Sequence, residues 1–340
     1  MVFPARPQVV VVGGGIRGSM FATTVLQHPD AVLVALCDPS PAVRDRNATT
    51  LGVPVHADVE TMLSAHPDAT AAIIATPDFA HRDVAVACAS RGLDLLVEKP
   101  LATTTEDAEA IRAAAEESGS RVVVGFENRW NQKFLEVRDQ LAQAAAGRVV
   151  AQVVNLNDTR WVPTEMLSWA SKSSPAWFLM PHSLDLTMWL TGTHPVEVFA
   201  RGTKRVLPEL GVDTWDAVTA SFAMSDGSTV VLNSSWVLPE TAPSVFDFRY
   251  EVQTESSVYH FDISHDGVTR YDPDGISWLQ FGVHERHGRL RGVPIDMASD
   301  FIAALNGEER DLPDAAYGCR ITAAIEAVHA SLATGLPQPL

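Results

Sequence analysis

Short, nearly unbroken apolar runs alternate with helix-periodic stretches through the first third of the chain. Gln8–Val12, Ala31–Cys37, Ala71–Ala75, Asp94–Val97 and Arg121–Val124 are runs rich in Val, Leu, Ile or Ala. Runs of this length without polar alternation fit strands buried on both faces. A helical stretch extends from the glycines after Val12 to about Gln27. Ser40-Pro41 opens another helix, with Ser as N-cap and Pro at the first helical position. Thr103-Thr104-Thr105-Glu106 reads as a capping box, and its helix ends near Gly119. Strands alternating with helices over 8–125 predict a parallel, doubly wound sheet of the Rossmann type, in the α/β class.

The pattern changes after about residue 125. A helix near 130–145 leads into runs that alternate polar with apolar: 149–156, 196–201, 217–223, 229–236, 246–254 and 258–263. Turns at Ser225-Asp226-Gly227 and Asp266-Gly267 link some of them. A large, mostly antiparallel open sheet with one covered face is expected. Helices over 296–306 and 314–334 close the chain, giving an α+β domain. The predicted division is 1–125 for dinucleotide binding and 126–340 for substrate binding and oligomerisation, and the uncovered sheet face predicts a homodimer or homotetramer.

Composition narrows the function. A chain of 340 residues suits two domains. A formal charge of −17 argues against nucleic acid and anionic membranes as partners, because phosphate surfaces need clustered Lys and Arg. Backbone N–H groups can still hold a dinucleotide. No apolar run reaches 18 residues and Met1–Pro7 lacks a leader-like stretch, so the expected location is the cytoplasm. The three cysteines, Cys37, Cys88 and Cys319, are far apart without a CxxC spacing, which fits a reducing compartment. No metal is expected, since His260, His265, His284 and His287 lack tight ligand spacing on one element.

The chemistry begins at Gly13-Gly14-Gly15-Ile16-Arg17-Gly18, a G-x-G-x-x-G that follows a strand and opens a helix. Gly13 permits the tight turn, Gly15 lets a pyrophosphate approach the backbone, and Gly18 lets helix and strand pack closely. Asp38 stands twenty residues after Gly18, at the end of the second strand. Its carboxylate suits ribose hydroxyls and repels a 2′-phosphate, which favours NAD over NADP. Arg44 and Arg46 read as a solvated helix face.

Further motifs stand at strand ends: Ala75-Thr76-Pro77-Asp78-Phe79-Ala80-His81, Glu98-Lys99-Pro100 and Gly125-Phe126-Glu127-Asn128-Arg129-Trp130, with His182-Ser183-Leu184-Asp185 in an apolar helix-like stretch. With the glycine loop, these resemble the Gfo/Idh/MocA family of nicotinamide-dependent oxidoreductases over essentially the whole chain. The resemblance implies that Ile16, Arg17, Thr76, Pro77 and His81 lie near the cofactor, and that Glu98 and Lys99 reach the nicotinamide ribose and substrate. Ligands of open parallel sheets bind beyond the strands' carboxyl ends, where these motifs fall.

Lys99 and His182 are the catalytic candidates. Hydride transfer from an alcohol needs a group to take the hydroxyl proton, which a desolvated lysine or a histidine can do. Asn128, Asp185, Trp161 and Trp177 are the substrate-side candidates. All eight tryptophans lie at or after Trp130, and indole faces suit sugars and cyclic polyols. One position departs from the family pattern: the Asp often found four residues before this His is Phe178 here, and a phenyl ring cannot polarise a hydroxyl. Either Lys99 and His182 suffice, or an acid such as Asp158 substitutes, or alcohol chemistry is absent. The expected activity is NAD-dependent oxidation of a sugar, inositol or similar polyol. The alternatives are a glycosidase using tightly bound NAD and a non-catalytic dinucleotide-binding regulator.

Overall fold

The computed structural model describes residues 6–273, 275–279 and 282–340; Met1 to Ala5, read above for a leader, lie outside the described residues. The chain forms two compact units. One takes the chain up to Trp130 together with Gly282–Thr322, and the other starts at Asn131 and includes Ala323–Leu340. A single boundary near residue 125 puts Gly282–Thr322 in the second domain, whereas its packing puts it in the first.

The first unit runs β1 (Gln8–Val12), α1 (Ile16–Gln27), β2 (Val32–Cys37), α2 (Pro41–Leu51), β3 (Val55–His56), α3 (Val59–Ala65), β4 (Ala71–Ile74), α4 (His81–Ala89), β5 (Asp94–Glu98), α5 (Thr105–Ser118) and β6 (Val122–Gly125). Among the described residues its strands lie in the order β3-β2-β1-β4-β5-β6 and pair in parallel. The order reverses between β1 and β4, which opens a crevice beyond their carboxyl ends. Val9, Val10, Val11, Ile73 and Ile74 have no exposed surface. This is why their sequence shows no alternation: both sheet faces are covered. β3 is too short to carry a period. The cap of α5 sits one residue later than the capping-box reading, with Thr104 Oγ1 accepting from Asp107 N at 3.1 Å.

The second unit holds α6 (Gln132–Leu141), β7 (Val149–Thr159), α7 (Pro175–Thr191), β8 (Pro195–Thr203), α8 (Val206–Glu209), β9 (Ala217–Met224), β10 (Thr229–Leu238), β11 (Phe246–Thr254), β12 (Val258–Asp262) and the hairpin β13 (Val268–Asp272)–β14 (Gly275–Leu279). The chain continues as the hairpin β15 (Val283–Arg286)–β16 (Arg289–Gly292), α9 (Val293–Leu305), α10 (Ala315–Thr334) and β17 (Gln338–Pro339). The larger sheet has the order β12-β11-β7-β10-β9-β8-β17. β7 and β10 pair in parallel and the other neighbours antiparallel. Strict burial alternation along β9 marks one covered face. Phe134 of α6 packs on Phe261 with ring centroids 4.8 Å apart, and Phe261 stacks on Tyr250 at 5.4 Å. The Tyr250 hydroxyl is satisfied by Gln152.

Helix α9 explains why Gly282–Thr322 belongs to the first unit. Its Met297, Ala298, Phe301 and Ile302 join one core with Val9, Val11, Phe21, Ala22 and Val25. Full burial of Phe301 and Ile302 contributes about 1.5–3 kcal/mol each. Within the same unit, Asp300 accepts from Trp130 Nε1 at 2.7 Å and from Arg310 Nε at 3.0 Å. No helix among the described residues is long and apolar enough to cross a membrane.

Candidate functional site

The glycine loop has a separate reason for each glycine. Gly13 has φ of +91°, and a Cβ there would stand 2.6 Å from Ala75 O. A Cβ on Gly18 would lie 1.7 Å from Gly13 O, so α1 packs onto the turn at backbone distance. A Cβ on Gly15 would meet nothing within 4 Å, which leaves open space above the loop. Gly14 also needs its hydrogen, because a Cβ would come within 2.8 Å of both Val43 and Asn47.

The loop is held from below. Asp38 accepts from Gly14 N through one oxygen and from Ser40 N through the other, each at 2.8 Å. The Gly14 carbonyl accepts from Ser19 Oγ at 2.8 Å, Arg46 Nη2 at 2.8 Å and Asn47 Nδ2 at 3.0 Å. Arg44 Nη1 donates to the carbonyls of Asp38 and Pro39 at 2.9 and 2.8 Å. Arg44 and Arg46 are partly or largely exposed, as a solvated face requires, but each also donates to a loop carbonyl, which that reading did not include. Arg44 turns back onto the loop that precedes α2 and Arg46 reaches the glycine loop, where those carbonyls have no ladder partner.

Two observations at this crevice fit a dinucleotide. Helix α1 begins at Gly15 without a side-chain cap, and Ile16 beside it is 76% exposed. Uncapped N–H groups at a helix start suit a pyrophosphate. Next to Gly13, the buried Thr76 Oγ1 has no hydrogen-bond partner among the described residues. Asp38, Gly15, Ile16 and Thr76 are therefore the residues that would hold the cofactor. His81 has a different task. It is buried, with Nδ1 2.8 Å from Pro100 O and Nε2 3.0 Å from Thr76 O. It ties the turn after β4 to the turn after β5, and Pro77 leads the chain between Thr76 and that anchor.

A charged cluster stands at the ends of β5 and β6. Arg17 Nε donates to Glu98 Oε1 at 2.8 Å and Arg17 Nη2 to Glu127 Oε1 at 2.7 Å. Burial opposes the Arg17 charge, but Glu127 and Glu98 outweigh it and hold the guanidinium above its usual value. The second Glu98 oxygen accepts from Lys99 N at 3.1 Å. Burial pushes the Lys99 ammonium below the ordinary lysine value of 10.5, aided by Arg17 and opposed by Glu98, Glu127 and Asp78. Depressed lysines of this kind are suited to proton transfer. Asn128 is half-buried in the 3-10 turn Glu127–Trp130, beside Arg129, whose guanidinium lies 4.5 Å from the Tyr317 ring centre.

In the second unit, Ser174 caps α7 by accepting from Trp177 N at 3.0 Å. Phe178 and His182 are half-buried one turn apart on that helix. The Phe178 ring packs against Trp236 at 5.7 Å and Trp169 at 6.1 Å. Two substrate-side expectations meet a buried residue. Trp177 stacks on His329, ring centroids 5.0 Å apart, so the face offered to a sugar is covered. Asp185 has no exposed surface, because α7 turns that side into the core. Trp161, by contrast, is 37% exposed and lines a cleft of about 460 Å³ with Thr159, Glu240, Ser244 and Trp278. Among the described residues no three His, Cys, Asp or Glu side chains are grouped to hold a metal.

A doubly wound sheet with a dinucleotide-type glycine loop, followed by an open mixed sheet, defines a two-domain nucleotide-dependent enzyme architecture. Residues 8–126 match the family model described as the oxidoreductase family with NAD-binding Rossmann fold, and residues 134–260 match the Gfo/Idh/MocA C-terminal domain. The chain belongs to the Gfo/Idh/MocA family of oxidoreductases and carries its NAD-binding domain. It is 32% identical over 256 residues to myo-inositol dehydrogenase Hyg17 of Streptomyces leeuwenhoekii, covering 73% of this chain and 74% of that protein. It is 26% identical to an inositol 2-dehydrogenase of Rubrobacter xylanophilus, covering 98% and 93% of the two chains. The fold is similar to that of scyllo-inositol dehydrogenase from Lactobacillus casei with bound NAD(H) and scyllo-inositol, at a TM-score of 0.80, 19% identity and coverage of 98% and 99%.

Proposed function

We propose that this protein is an NAD-dependent dehydrogenase that oxidises a secondary hydroxyl of a cyclic polyol, of the inositol or sugar class. The observation that carries the reading is Lys99, half-buried beside Arg17, Glu98 and Glu127 at the carboxyl end of β5, with its ammonium lowered by partial desolvation. The relationship to inositol dehydrogenases supports the substrate class. Bound NAD supplies a hydride acceptor. Lys99 takes the hydroxyl proton, and Glu98 holds the backbone of Lys99 in place. With Phe178 on the same stripe of α7 as His182, the helix offers no carboxylate one turn before the histidine.

The test is NADH formation across the inositol isomers and simple pyranoses, with Lys99→Met alongside the wild type. At least one polyol should turn over. Lys99→Met should lose about 10²–10⁴-fold in kcat/KM while NAD affinity stays within a few fold. Near-normal turnover in that variant overturns the assignment. Phe178 favours one rival, a dinucleotide-binding regulator. NAD binding with no turnover on the whole panel would establish that rival instead.

A further inference from the structure

The cleft beside Trp161 lies within the second unit, beyond the ends of β7 and β10. Thr159 ends β7 and is registered against Leu238 of β10, two residues beyond Trp236, on which Phe178 packs. The loop from β10 to β11 contributes Glu240, Ala242, Pro243, Ser244 and Val245. Two backbone bonds fix that loop: Thr159 N donates to Val245 O at 2.8 Å and Trp278 N to Pro243 O at 2.9 Å. Trp278 comes from β14 and its ring lies 4.9 Å from that of His265.

The lining has a definite chemical character. Among the described residues it holds two indoles, Trp161 and Trp278, two hydroxyl residues, Thr159 and Ser244, and one charged side chain, the carboxylate of Glu240. No Lys or Arg is among the described lining residues. Its volume of about 460 Å³ falls within the ordinary range for small-molecule sites. Indole faces take the carbon face of a polyhydroxylated ring, and they also attract cations through the ring quadrupole. A carboxylate beside two such faces selects an ammonium, and a chain of formal charge −17 repels anionic alternatives.

We propose that this cleft binds an amine-bearing sugar or cyclitol ring, with its ammonium at Glu240 and its carbon face on the indoles of Trp161 and Trp278. The inference deepens the polyol reading and rests on it for its catalytic consequence: the preferred substrate carries an amino group. Binding itself does not depend on turnover.

Tryptophan fluorescence titration of the full chain, with D-glucosamine against D-glucose at a pH where the amine is protonated, tests the binding. An exposed ion pair with a cation–π contribution should favour glucosamine by about five- to tenfold. Glu240→Gln should reduce the preference to under twofold, added salt should weaken it, and Trp161→Ala should weaken both sugars. Equal binding of the two sugars by the wild type, or an unchanged preference in Glu240→Gln, overturns the proposal. Absence of turnover on any polyol would remove the dehydrogenase reading and leave the binding preference intact. Turnover of neutral polyols with no preference for amines would do the reverse.

Discussion

The substitutions Gly15→Ala and Gly18→Ala add the same methyl group three residues apart, and the loop geometry gives them opposite consequences. At Gly15 the backbone has φ of −65°, which any L-residue adopts, and the new methyl meets nothing within 4 Å. Folding should be unharmed, or favoured by about 0.4–1 kcal/mol through a less flexible unfolded chain. The methyl nevertheless occupies the space above the uncapped start of α1. A pyrophosphate there would have to retreat from the N–H groups, which should cost at least tenfold in NAD affinity, or about 1.4 kcal/mol. At Gly18 the methyl would lie 1.7 Å from Gly13 O, and both partners are backbone. The helix must move away from the turn by more than an ångström, at or above the upper end of the roughly 1–3 kcal/mol range for overpacking. At about 2–4 °C per kcal/mol the melting temperature should fall by about 6–12 °C. Thermal unfolding with and without NAD, with calorimetric titration of NAD, separates the two effects. The reasoning is refuted if Gly15→Ala lowers the apo melting temperature as much as Gly18→Ala does, or if it binds NAD like the wild type.

Removing Asp38 as Asp38→Ala leaves Gly14 N–H without its acceptor, so NAD affinity should drop at least tenfold and discrimination against NADP should shrink, measured by titration with each nucleotide. Arg17→Met leaves Glu98 and Glu127 together without their shared cation. A loss of about 1–3 kcal/mol in denaturant unfolding is expected, and Arg17→Met/Glu98→Gln/Glu127→Gln should recover much of it. Lys99 must be neutral to take a proton, so kcat/KM should rise with pH through a value below the ordinary 10.5, and Lys99→Arg should abolish that rise along with most of the activity. Burial holds the His329 imidazole below its usual 6.5. The folded state then binds fewer protons than the unfolded one between the folded value and 6.5, so stability present above pH 6.5 is lost as pH falls through that window. His329→Phe should flatten this acid limb in thermal unfolding, with the stacking on Trp177 retained.

Much of the first unit is legible in the sequence because a strand covered on both faces must be continuously apolar, and the runs at β1, β4, β5 and β6 are. The glycine spacing likewise carries its own geometry. What escaped has physical reasons. β3 is two residues long, too short for any period to show. The roles of Arg46 and Asn47 depend on which way α2 faces, and both types are equally at home in solvent. Gly14 fills the variable second position of the G-x-G-x-x-G pattern, yet α2 approaches it closely enough to exclude a methyl. In α7 nearly every position is buried, so composition alone could not separate Trp177 and Asp185, which face inward, from His182 and Phe178, which are half-exposed. Trp161 could be recognised as a candidate, but Glu240 and Trp278 lie about 80 and about 120 residues further along the chain, and only the fold brings them to the same cleft.

The place of α9 has a consequence for how the protein is made. The ribosome releases β1 to β6 first, yet the apolar surface of β1 and α1 stays uncovered until Met297, Phe301 and Ile302 emerge. By then the strands of the larger sheet up to β12 have left the tunnel. The domain whose synthesis starts first is therefore completed only after most of the second has been made, and a nascent chain truncated near residue 130 would present its Val9, Phe21 and Val25 surface to chaperones instead of to its own helix.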